Sequence, residues 1–321
     1  MTDHAPAPPK AVSSPFSTGS GGSNFENKVQ TVFVIMMLAG GTAPALPPWP
    51  IIQIKLQGRY AGYHTDDFIV FAKEPDGSRT SKLLAQIKHV AAITESDVAF
   101  TETIAAAWSD FNDTSIFDAA FDQLALITGP LSASDSESAR TILEWARTSE
   151  SHEEFFLKVD LGKFSSDEKR RKLDVFRQQL KKANRDTDVG DERLFHFLRR
   201  FHLIGFDLDT ASSSSLALAY SLLSVFRPQR AAESFGVIAQ EVARYNQNAG
   251  TITPEELPLH IRDVFVIQPR LTIPEKFVES GIKEPLSGDP AEAVLLASLL
   301  GGWNENMPGD NEVIEELVGA K

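Results

Sequence analysis

The chain has 321 residues, and its 42% hydrophobic and 23% charged content is that of a folded globular protein with one large domain or two ordinary ones. It has no cysteine, which excludes disulfides, thiolate zinc sites and a cysteine nucleophile, and which agrees with a cytoplasmic location. The formal net charge of −13 excludes a general polycation, so any nucleic-acid site must be a local patch.

The N-terminal part of the sequence predicts a tail followed by a helix. Residues 1–22 are rich in proline, glycine and serine, which is typical of a disordered tail. Residues 23–41 then carry apolar side chains at helical spacing, with Ser23 or Asn24 as the cap and a Gly-Gly pair at the end. The apolar run 32–38 is too short to cross a bilayer and no secretory signal is visible, so we expect no membrane association.

A strand-rich segment follows the first helix. Strands are predicted over residues 51–57, 66–74 and 82–90, and the last two are joined by a turn at Asp76-Gly77. A helix over residues 95–111 and a fourth strand over 123–129 come next. This order of elements predicts an α/β fold with a mixed-sheet core over residues 23–130.

Beyond Pro130 the patterns are helical. They cover residues 136–149, 165–184, 190–204, 214–226 and 228–247, so residues 131–284 are predicted to form a helical subdomain. Residues 285–321 contain one helical pattern, a loop and the start of a second, which is typical of a linker and the beginning of a following module. We therefore expect the chain to be the N-terminal part of a longer protein.

Three polar residues stand in the predicted hairpin where core residues are expected. Gln86 and Lys88 share one face of their strand, and Asp67 begins the antiparallel neighbour. Carboxylate and amide oxygens are ligands that Mg²⁺ accepts, and a lysine beside them orients or deprotonates water or stabilises charge on a phosphate. A solvated sheet face with three surface side chains explains the same spacing, and both interpretations stay open on spacing alone.

The residues around this motif carry a family resemblance. The set resembles the PD-(D/E)xK restriction-endonuclease superfamily, in its variant with glutamine for the second acid. The segments GGSNFENKV, IKLQ, DDFIVFAKEPDG and LLAQIKHV are similar to the double-stranded DNA endonuclease domain of CBASS anti-phage effectors. DERLFHFLRRFHLIGFDLD resembles the helical part of that domain, and LLGGWNENMPGDNEVIEELVG resembles its junction to a following module in large bacterial defence proteins.

The resemblance implies a restriction-endonuclease-like core over residues 23–130, followed by a helical extension, and the activity of a metal-dependent endonuclease that cleaves double-stranded DNA. At the matching positions, Glu26, Asp67 and Gln86 are the expected metal ligands and Lys88 is the expected catalytic lysine, which makes all four the expected catalytic residues. The implied cofactor is Mg²⁺, for which Mn²⁺ can substitute. Gln86 removes one negative charge from the parent pattern, so metal affinity is expected to depend more on Glu26 and Asp67, and one or two metal ions stay open.

Each expected site residue has an alternative. Glu26 is also the kind of acid that the dipole favours near a helix N-terminus. Asp66 is an alternative ligand to Asp67, or a cap at the hairpin entry. Gln57 and Lys55 share a strand face and are candidates for supporting contacts. One further residue, His89, faces away from Lys88 and is expected to be structural or to lie near the DNA rather than to bind the metal.

A basic segment is the second candidate nucleic-acid feature. Residues 167–185 contain eight basic and three acidic residues, a net charge of +5 in an acidic protein. A solvated charged helix face explains this composition as well as phosphate binding does, and Arg199 and Arg200 form a similar but smaller group. The possible DNA-contacting residues are Lys169, Arg170, Arg171, Arg177, Lys181 and Lys182. Two histidines nearby, His196 and His202, lie among apolar residues and are predicted to be core histidines.

The function expected from the resemblance is that of an effector in a bacterial anti-phage system. Two alternatives are a non-catalytic DNA-binding or oligomerisation module and an RNA-cleaving nuclease of the same fold. The expected partners are DNA and a sensor or NTPase module, in the same longer chain or in a partner protein. We expect the active form to be a homo-oligomer, because clustering several subunits multiplies the basic contacts to one duplex.

Overall fold

The structure is a computed structural model that describes residues 21–210 and 212–266. The predicted tail lies outside the described residues except for Gly21 and Gly22, which already belong to the first helix. The predicted linker and following module, residues 285–321, also lie outside them.

Six strands form one mixed sheet. They are β1 (Ile51–Leu56), β2 (Phe68–Lys73), β3 (Thr80–Lys88), β4 (Gln123–Thr128), β5 (Phe201–Gly205) and β6 (Thr251–Ile252), in the order β5-β4-β3-β2-β1-β6. The strands from β6 to β3 are antiparallel neighbours, and β3, β4 and β5 are parallel. The change of direction at β3 follows from the helical crossover after it, because parallel neighbours need a long connection. The predicted α/β fold class is confirmed.

Nine helices are assigned in the described part of the chain. They are α1 (Gly21–Leu38), α2 (Val98–Phe111), α3 (Arg140–Thr148), α4 (His152–Asp160), α5 (Asp167–Ala183), α6 (Asp191–Arg200), α7 (Ser214–Phe226), α8 (Ala231–Gln247) and α9 (Leu259–Arg262). Side-chain caps fix several of these starts: Asp97 accepts from Phe100 N–H at α2, and Ser166 from Lys169 N–H at α5. Among the described helices, none combines the length and the apolar character that crossing a bilayer requires.

The sheet separates two apolar layers. On one face α1, α7 and α8 cover the buried side chains of Phe68 and Ile87. On the other face α2, α3, α5 and α6 cover Ile69 and Leu84. Neighbouring residues of β2 and β3 thus face opposite layers, as the twofold period of a strand requires. The aromatic residue Phe33 on α1 packs edge-to-face on Phe68 at 5.0 Å, which holds the first helix against the sheet.

The predicted helix over residues 190–204 is wrong in its second half. The helix ends at Arg200, and Phe201–Gly205 is strand β5, paired in parallel with β4. Phe201 and Leu203 are buried while His202 and Ile204 are half-buried, which is the alternation of a strand. The sequence analysis missed it because the helical pattern of α6 runs directly into these residues. The region predicted to be helical therefore contributes two strands, β5 and β6, to the sheet.

Candidate functional site

The β2–β3 register places Asp67 beside Gln86. Phe68 pairs with Ala85, so the residue before β2 stands opposite the residue after Ala85. Oδ2 of Asp67 accepts the backbone N–H of Ile87, and the backbone N–H of Asp66 donates to Oε1 of Gln86 over 3.3 Å. The prediction that the hairpin brings the acid to the amide is confirmed.

The entry to β2 is held by buried contacts that explain why the acids lie there. Asp110 of α2 is fully buried, and its carboxylate accepts the backbone N–H groups of His64 at 2.7 Å and Thr65 at 2.8 Å. Gly58 packs so closely on this segment that a Cβ at its position would lie 2.3 Å from the carbonyl oxygen of Thr65. These contacts fix the backbone before Asp67, since buried polar groups need their partners.

Helix α1 brings Glu26 to the same point. Gln30 lies one turn after Glu26, and its Nε2 donates to Oε1 of Glu26 over 2.9 Å and to the carbonyl oxygen of Asp67 over 3.5 Å. From α8, Nδ2 of Asn246 donates to the same Glu26 oxygen over 3.0 Å. Gln57 donates in turn to Oδ1 of Asn246 over 3.0 Å. A chain of amides therefore orients the Glu26 carboxylate from two directions.

Burial raises the pKa of both acids, and for Asp67 the charge of Glu26 adds to the effect. Burial, and then the charge of Glu26, raise the pKa of Asp67 to about 7, although Lys88 and the Ile87 N–H oppose the change. Burial likewise raises the pKa of Glu26, against the hydrogen bonds from Asn246 and Gln30 and the charge of Lys88. Lys88 is thus close enough to both acids to favour their charged forms. Strongly perturbed carboxyl pairs of this kind are typical of functional sites.

The donor set suits one hard divalent cation. Among the described residues, no hydrogen bond reaches Oε2 of Glu26 or Oδ1 of Asp67, and Oε1 of Gln30 is buried without a hydrogen-bond partner. The amide oxygen of Gln86 keeps a second lone pair beside the bond from Asp66. The described residues contain no group of three His, Cys, Asp or Glu side chains able to hold a metal. A cation here would therefore rest on two carboxylates and amide oxygens, and it would complete its shell with water, as Mg²⁺ does.

The similarity of this chain to known proteins lies with solved structures. No family model and no curated protein matches it. A solved structure of the Acinetobacter baumannii Cap4 SAVED/CARF-domain containing receptor with the cyclic trinucleotide 3'3'3'-cAAA matches with a TM-score of 0.42 and 12% identity, over 76% of this chain and 43% of that one. The Moraxella osloensis Cap4 SAVED/CARF-domain containing receptor matches with a TM-score of 0.38 and 10% identity, over 72% and 45%. The chain thus spans less than half the length of these structures.

These findings overturn the identification made from the sequence. The matching structures are described as SAVED/CARF-domain containing receptors, one of them with a bound cyclic trinucleotide, and neither description names a nuclease. The prediction that the chain is the double-stranded DNA endonuclease domain of an anti-phage effector is therefore wrong. The function taken from that identification, with its DNA-binding and RNA-cleaving alternatives, falls with it. The expected sensor module and homo-oligomer stay predictions, and no finding supports the expected DNA partner.

The other residues near the site divide between supporting and unrelated roles. Asp66 is turned to Arg59, 3.4 Å away, so Asp67 is the acid that faces Glu26. Gln57 supports Glu26 through Asn246, whereas Lys55 donates to Thr251 over 3.3 Å and takes no part. Nε2 of His89 lies 2.7 Å from Asp209, and its ring packs edge-to-face on Phe25 at 5.1 Å, in agreement with the predicted structural role.

Two contributors to the site were missed by the sequence analysis. Gln30 stands four residues after Glu26, and this spacing places both on one helix face, so a signal was present. Asn246 lies 220 residues from Glu26, and no local pattern links the two.

A cavity of about 660 Å³ lies beside Asn246 and is lined by Gln57, Tyr60 and residues 246–249. Tyr60 is 83% exposed at its rim.

Three of the six predicted DNA-contacting residues on α5 form ion pairs within the fold. Arg170 pairs with Asp167 at 3.0 Å, Arg171 with Glu168 at 2.8 Å, and Arg177 with Asp191 at 2.5 Å. Lys182 donates to the carbonyl of Glu95, and Lys169 lies over the ring of Trp145. Lys172 is buried and paired with Asp135 at 2.7 Å, while Lys181 is exposed. Half of the predicted DNA-contacting residues thus have a carboxylate partner, while the ammonium groups of Lys169, Lys181 and Lys182 have none among the described residues.

The two predicted core histidines differ. His202 on β5 is half-buried beside Gln123 at 3.1 Å, and burial, with nearby Arg147, lowers its pKa to about 3. The prediction is wrong for His196, whose side chain is 56% exposed and lies 3.9 Å from Glu192. His196 stands on the exposed side of α6, and its ring lies 5.5 Å from that of buried Phe195, so it covers the core from outside rather than lying within it.

Proposed function

We propose that Glu26, Asp67, Gln86 and Lys88 form a divalent-cation site that hydrolyses a phosphate diester. The observation that carries the proposal is the pair of partly buried carboxyls, Glu26 and Asp67, each with a raised pKa and each with one oxygen free of hydrogen bonds from described residues. Two carboxyls held together in this way destabilise the fold when they ionise, and a cation between them relieves that repulsion. This proposal concerns the chemistry of the site and does not retain double-stranded DNA as its substrate.

The side chains of the site have separate roles in the proposed reaction. The Glu26 and Asp67 carboxylates and the Gln86 amide oxygen would hold Mg²⁺, or Mn²⁺ in its place. When bound, such an ion stabilises negative charge on a phosphate and lowers the pKa of a coordinated water. The Lys88 ammonium orients the attacking water and stabilises charge on the phosphate oxygens. Asn246 and Gln30 hold Glu26 in place, and the Ile87 N–H does the same for Asp67.

The pKa of Asp67 gives the site a defined pH dependence. With a pKa of about 7, the carboxyl is mostly protonated at pH 6, and a cation must displace that proton to bind. Cation affinity is therefore expected to rise up to about tenfold per pH unit below pH 7 and to level off above pH 8. A site of carboxylates with ordinary pKa values would show no such slope in this range.

The test measures binding and hydrolysis separately. Calorimetric titration of the full chain with MgCl₂ at pH 8 is compared for the wild type, Asp67→Asn and Asp66→Asn, which removes the neighbouring acid that faces Arg59. Binding is expected in the wild type and the Asp66→Asn variant and to be lost in Asp67→Asn. Equal Mg²⁺ binding by wild type and Asp67→Asn would overturn the cation site.

Hydrolysis is measured with bis(p-nitrophenyl) phosphate, a DNA oligonucleotide and a cyclic trinucleotide of the kind bound in one matching structure. Lys88→Ala is expected to bind Mg²⁺ but to lose hydrolysis, while Lys55→Ala, which removes a lysine bonded to Thr251, keeps both. If the wild-type chain binds Mg²⁺ but hydrolyses none of the three diesters, the cation site stands and the proposed hydrolase activity is refuted.

A further inference from the structure

A second group of polar residues surrounds a separate cavity at the end of α6. Arg193, His196 and Arg200 follow the spacing of one helix face, and Arg199 stands next to them. With Phe111 and Ala119, these four residues line a cavity of about 460 Å³, which we call the α6 arginine pocket. The opposite face of α6 is buried in the core, so the cluster is held on a rigid element.

The arginines of the pocket lack carboxylate partners. Arg193 donates to Asn112 and lies 5.2 Å from the centre of the Trp108 ring, and Arg199 donates to the Ser149 carbonyl at 3.4 Å. No carboxylate among the described residues lies within 4.0 Å of a side-chain nitrogen of Arg193, Arg199 or Arg200. The contrast with α5 is direct, since Arg170, Arg171 and Arg177 there all form such pairs.

Arg200 is the arginine of the pocket with the fewest intramolecular partners. It is half-buried, no hydrogen bond from it is found among the described residues, and burial together with the charge of Arg199 lowers its pKa. Asp118 and Asp122 oppose this change from a longer distance, but Asp122 already pairs with Lys82 at 3.1 Å. Two neighbouring guanidinium groups, partly desolvated and without a counter-ion, destabilise each other.

A purely structural explanation covers only part of this arrangement. Basic residues in the last turn of a helix interact favourably with the helix dipole, which accounts for Arg199 and Arg200 at the end of α6. The dipole does not account for Arg193, which lies in the first turn, where a positive charge is unfavourable; its bond to Asn112 and its contact with Trp108 hold it there instead. The dipole also leaves unexplained why half-buried Arg200, which lines the same cavity as Arg193 and Arg199, has no hydrogen bond and no carboxylate partner among the described residues.

We infer that the α6 arginine pocket binds a phosphate-bearing ligand of mononucleotide size. Guanidinium groups bind phosphate through paired hydrogen bonds, and two or three of them converging on one cavity match a phosphate or diphosphate group. The exposed His196 adds one further donor. Phe111 at the wall offers an apolar face on which a base or similar ring can pack. The inference does not depend on the cation site, which lies at the β2–β3 hairpin.

The test is a binding titration of the full chain with pyrophosphate and with ADP, in EDTA and low salt so that the cation site does not contribute. An Asp67→Asn background removes that site as well. The wild-type chain is expected to bind both probes, with ADP the tighter of the two if its base packs on Phe111. Arg200→Gln is expected to weaken both about tenfold or more, as the loss of a charge-assisted hydrogen bond requires, and Arg200→Lys is expected to restore part of the loss.

The matched control is Arg171→Gln, which removes one positive charge from the ion-paired face of α5. It is expected to leave binding within about twofold of the wild type, since its charge is already compensated. Thermal melting of each variant confirms that it is folded. No binding of either probe to the wild type, or equal weakening by Arg171→Gln and Arg200→Gln, would overturn the inference. The inference would also be overturned if the chain bound a long single-stranded oligonucleotide but neither pyrophosphate nor ADP. That result would indicate an extended basic surface that binds a nucleic-acid backbone, and not a pocket for one phosphate group.

Discussion

Replacing Asp67 by asparagine is expected to stabilise the cation-free protein at neutral and alkaline pH. The substitution removes a charge that burial and the neighbouring Glu26 disfavour, and it keeps the shape of the side chain. The amide oxygen of asparagine can still accept the Ile87 N–H that Asp67 accepts in the wild type. Stability and cation binding thus make opposite demands on this one position.

The magnitude follows from the pKa. A carboxyl whose pKa rises from 3.8 to about 7 on folding holds its proton more tightly in the native state. Its contribution to stability is fully present below pH 4 and is lost as the pH rises towards 7, because only the unfolded chain ionises freely in that interval. The total loss is about 4 kcal/mol as an upper limit, of which about 2.5 kcal/mol falls between pH 5 and pH 8.

The assay is urea unfolding of wild type, Asp67→Asn and Asp66→Asn at pH 5 and pH 8 in EDTA. The advantage of Asp67→Asn over wild type is expected to grow by about 2.5 kcal/mol between the two pH values. The control is Asp66→Asn, because Asp66 is the neighbouring acid and pairs with exposed Arg59. Between pH 5 and pH 8, its difference from wild type in free energy of unfolding is expected to change by less than about 1 kcal/mol. A difference between Asp67→Asn and wild type that is independent of pH, or that falls as the pH rises, would refute the reasoning.

The remaining predictions concern the amide support, the histidine in β5 and the core. Asn246→Ala removes a hydrogen bond that favours the charged form of Glu26, so the pH midpoint of Mg²⁺ binding in calorimetry is expected to move upward, and an unchanged midpoint would contradict this role. His202, with a pKa of about 3, is expected to keep the NMR shifts of a neutral imidazole from pH 7 to pH 5, and its contribution to stability is lost only as the pH falls from about 6.5 towards 3. Phe176→Ala is expected to lower the free energy of unfolding by about 3–5 kcal/mol, since Phe176 is fully buried between Phe100 and Phe201, and a loss below about 1 kcal/mol in urea unfolding would contradict that packing.

The hairpin shows what the sequence alone can determine. The Asp76-Gly77 turn between β2 and β3 indicates how the two strands pair, and the observed register places Asp67 opposite Gln86. The helical period of α1 likewise predicts that Phe33 faces the core, as it does. These features depend on interactions between near neighbours in the chain, so their signals are complete within a short window.

Elements fixed by distant contacts were not predictable in the same way. Strand β5 continues directly from α6 with no glycine or proline between them, and only pairing with β4, more than 70 residues earlier, makes it a strand. The burial of Lys172 depends on Asp135, which lies 37 residues away, and a count of charges in α5 cannot show it. Asn246 reaches Glu26 only because α8 packs on α1.

The energetic cost of the acid pair is itself an argument about what the pair does. A fold gains nothing in stability from a buried carboxyl whose pKa lies near 7, since a buried unpaired charge is destabilising at physiological pH. Around Asp67 and Glu26 the chain nevertheless supplies ordered donors from α1, α8 and the β2–β3 hairpin, each aimed at one oxygen and leaving the other open. If this arrangement served packing alone, Asp67→Asn would improve stability and leave every other property unchanged. If it serves a cation, the same substitution improves stability in EDTA and abolishes the further stabilisation that Mg²⁺ gives the wild type, which at a hundredfold excess over its dissociation constant is about 2.7 kcal/mol. Melting wild type and Asp67→Asn with and without MgCl₂ therefore separates the two explanations without any assay of catalysis.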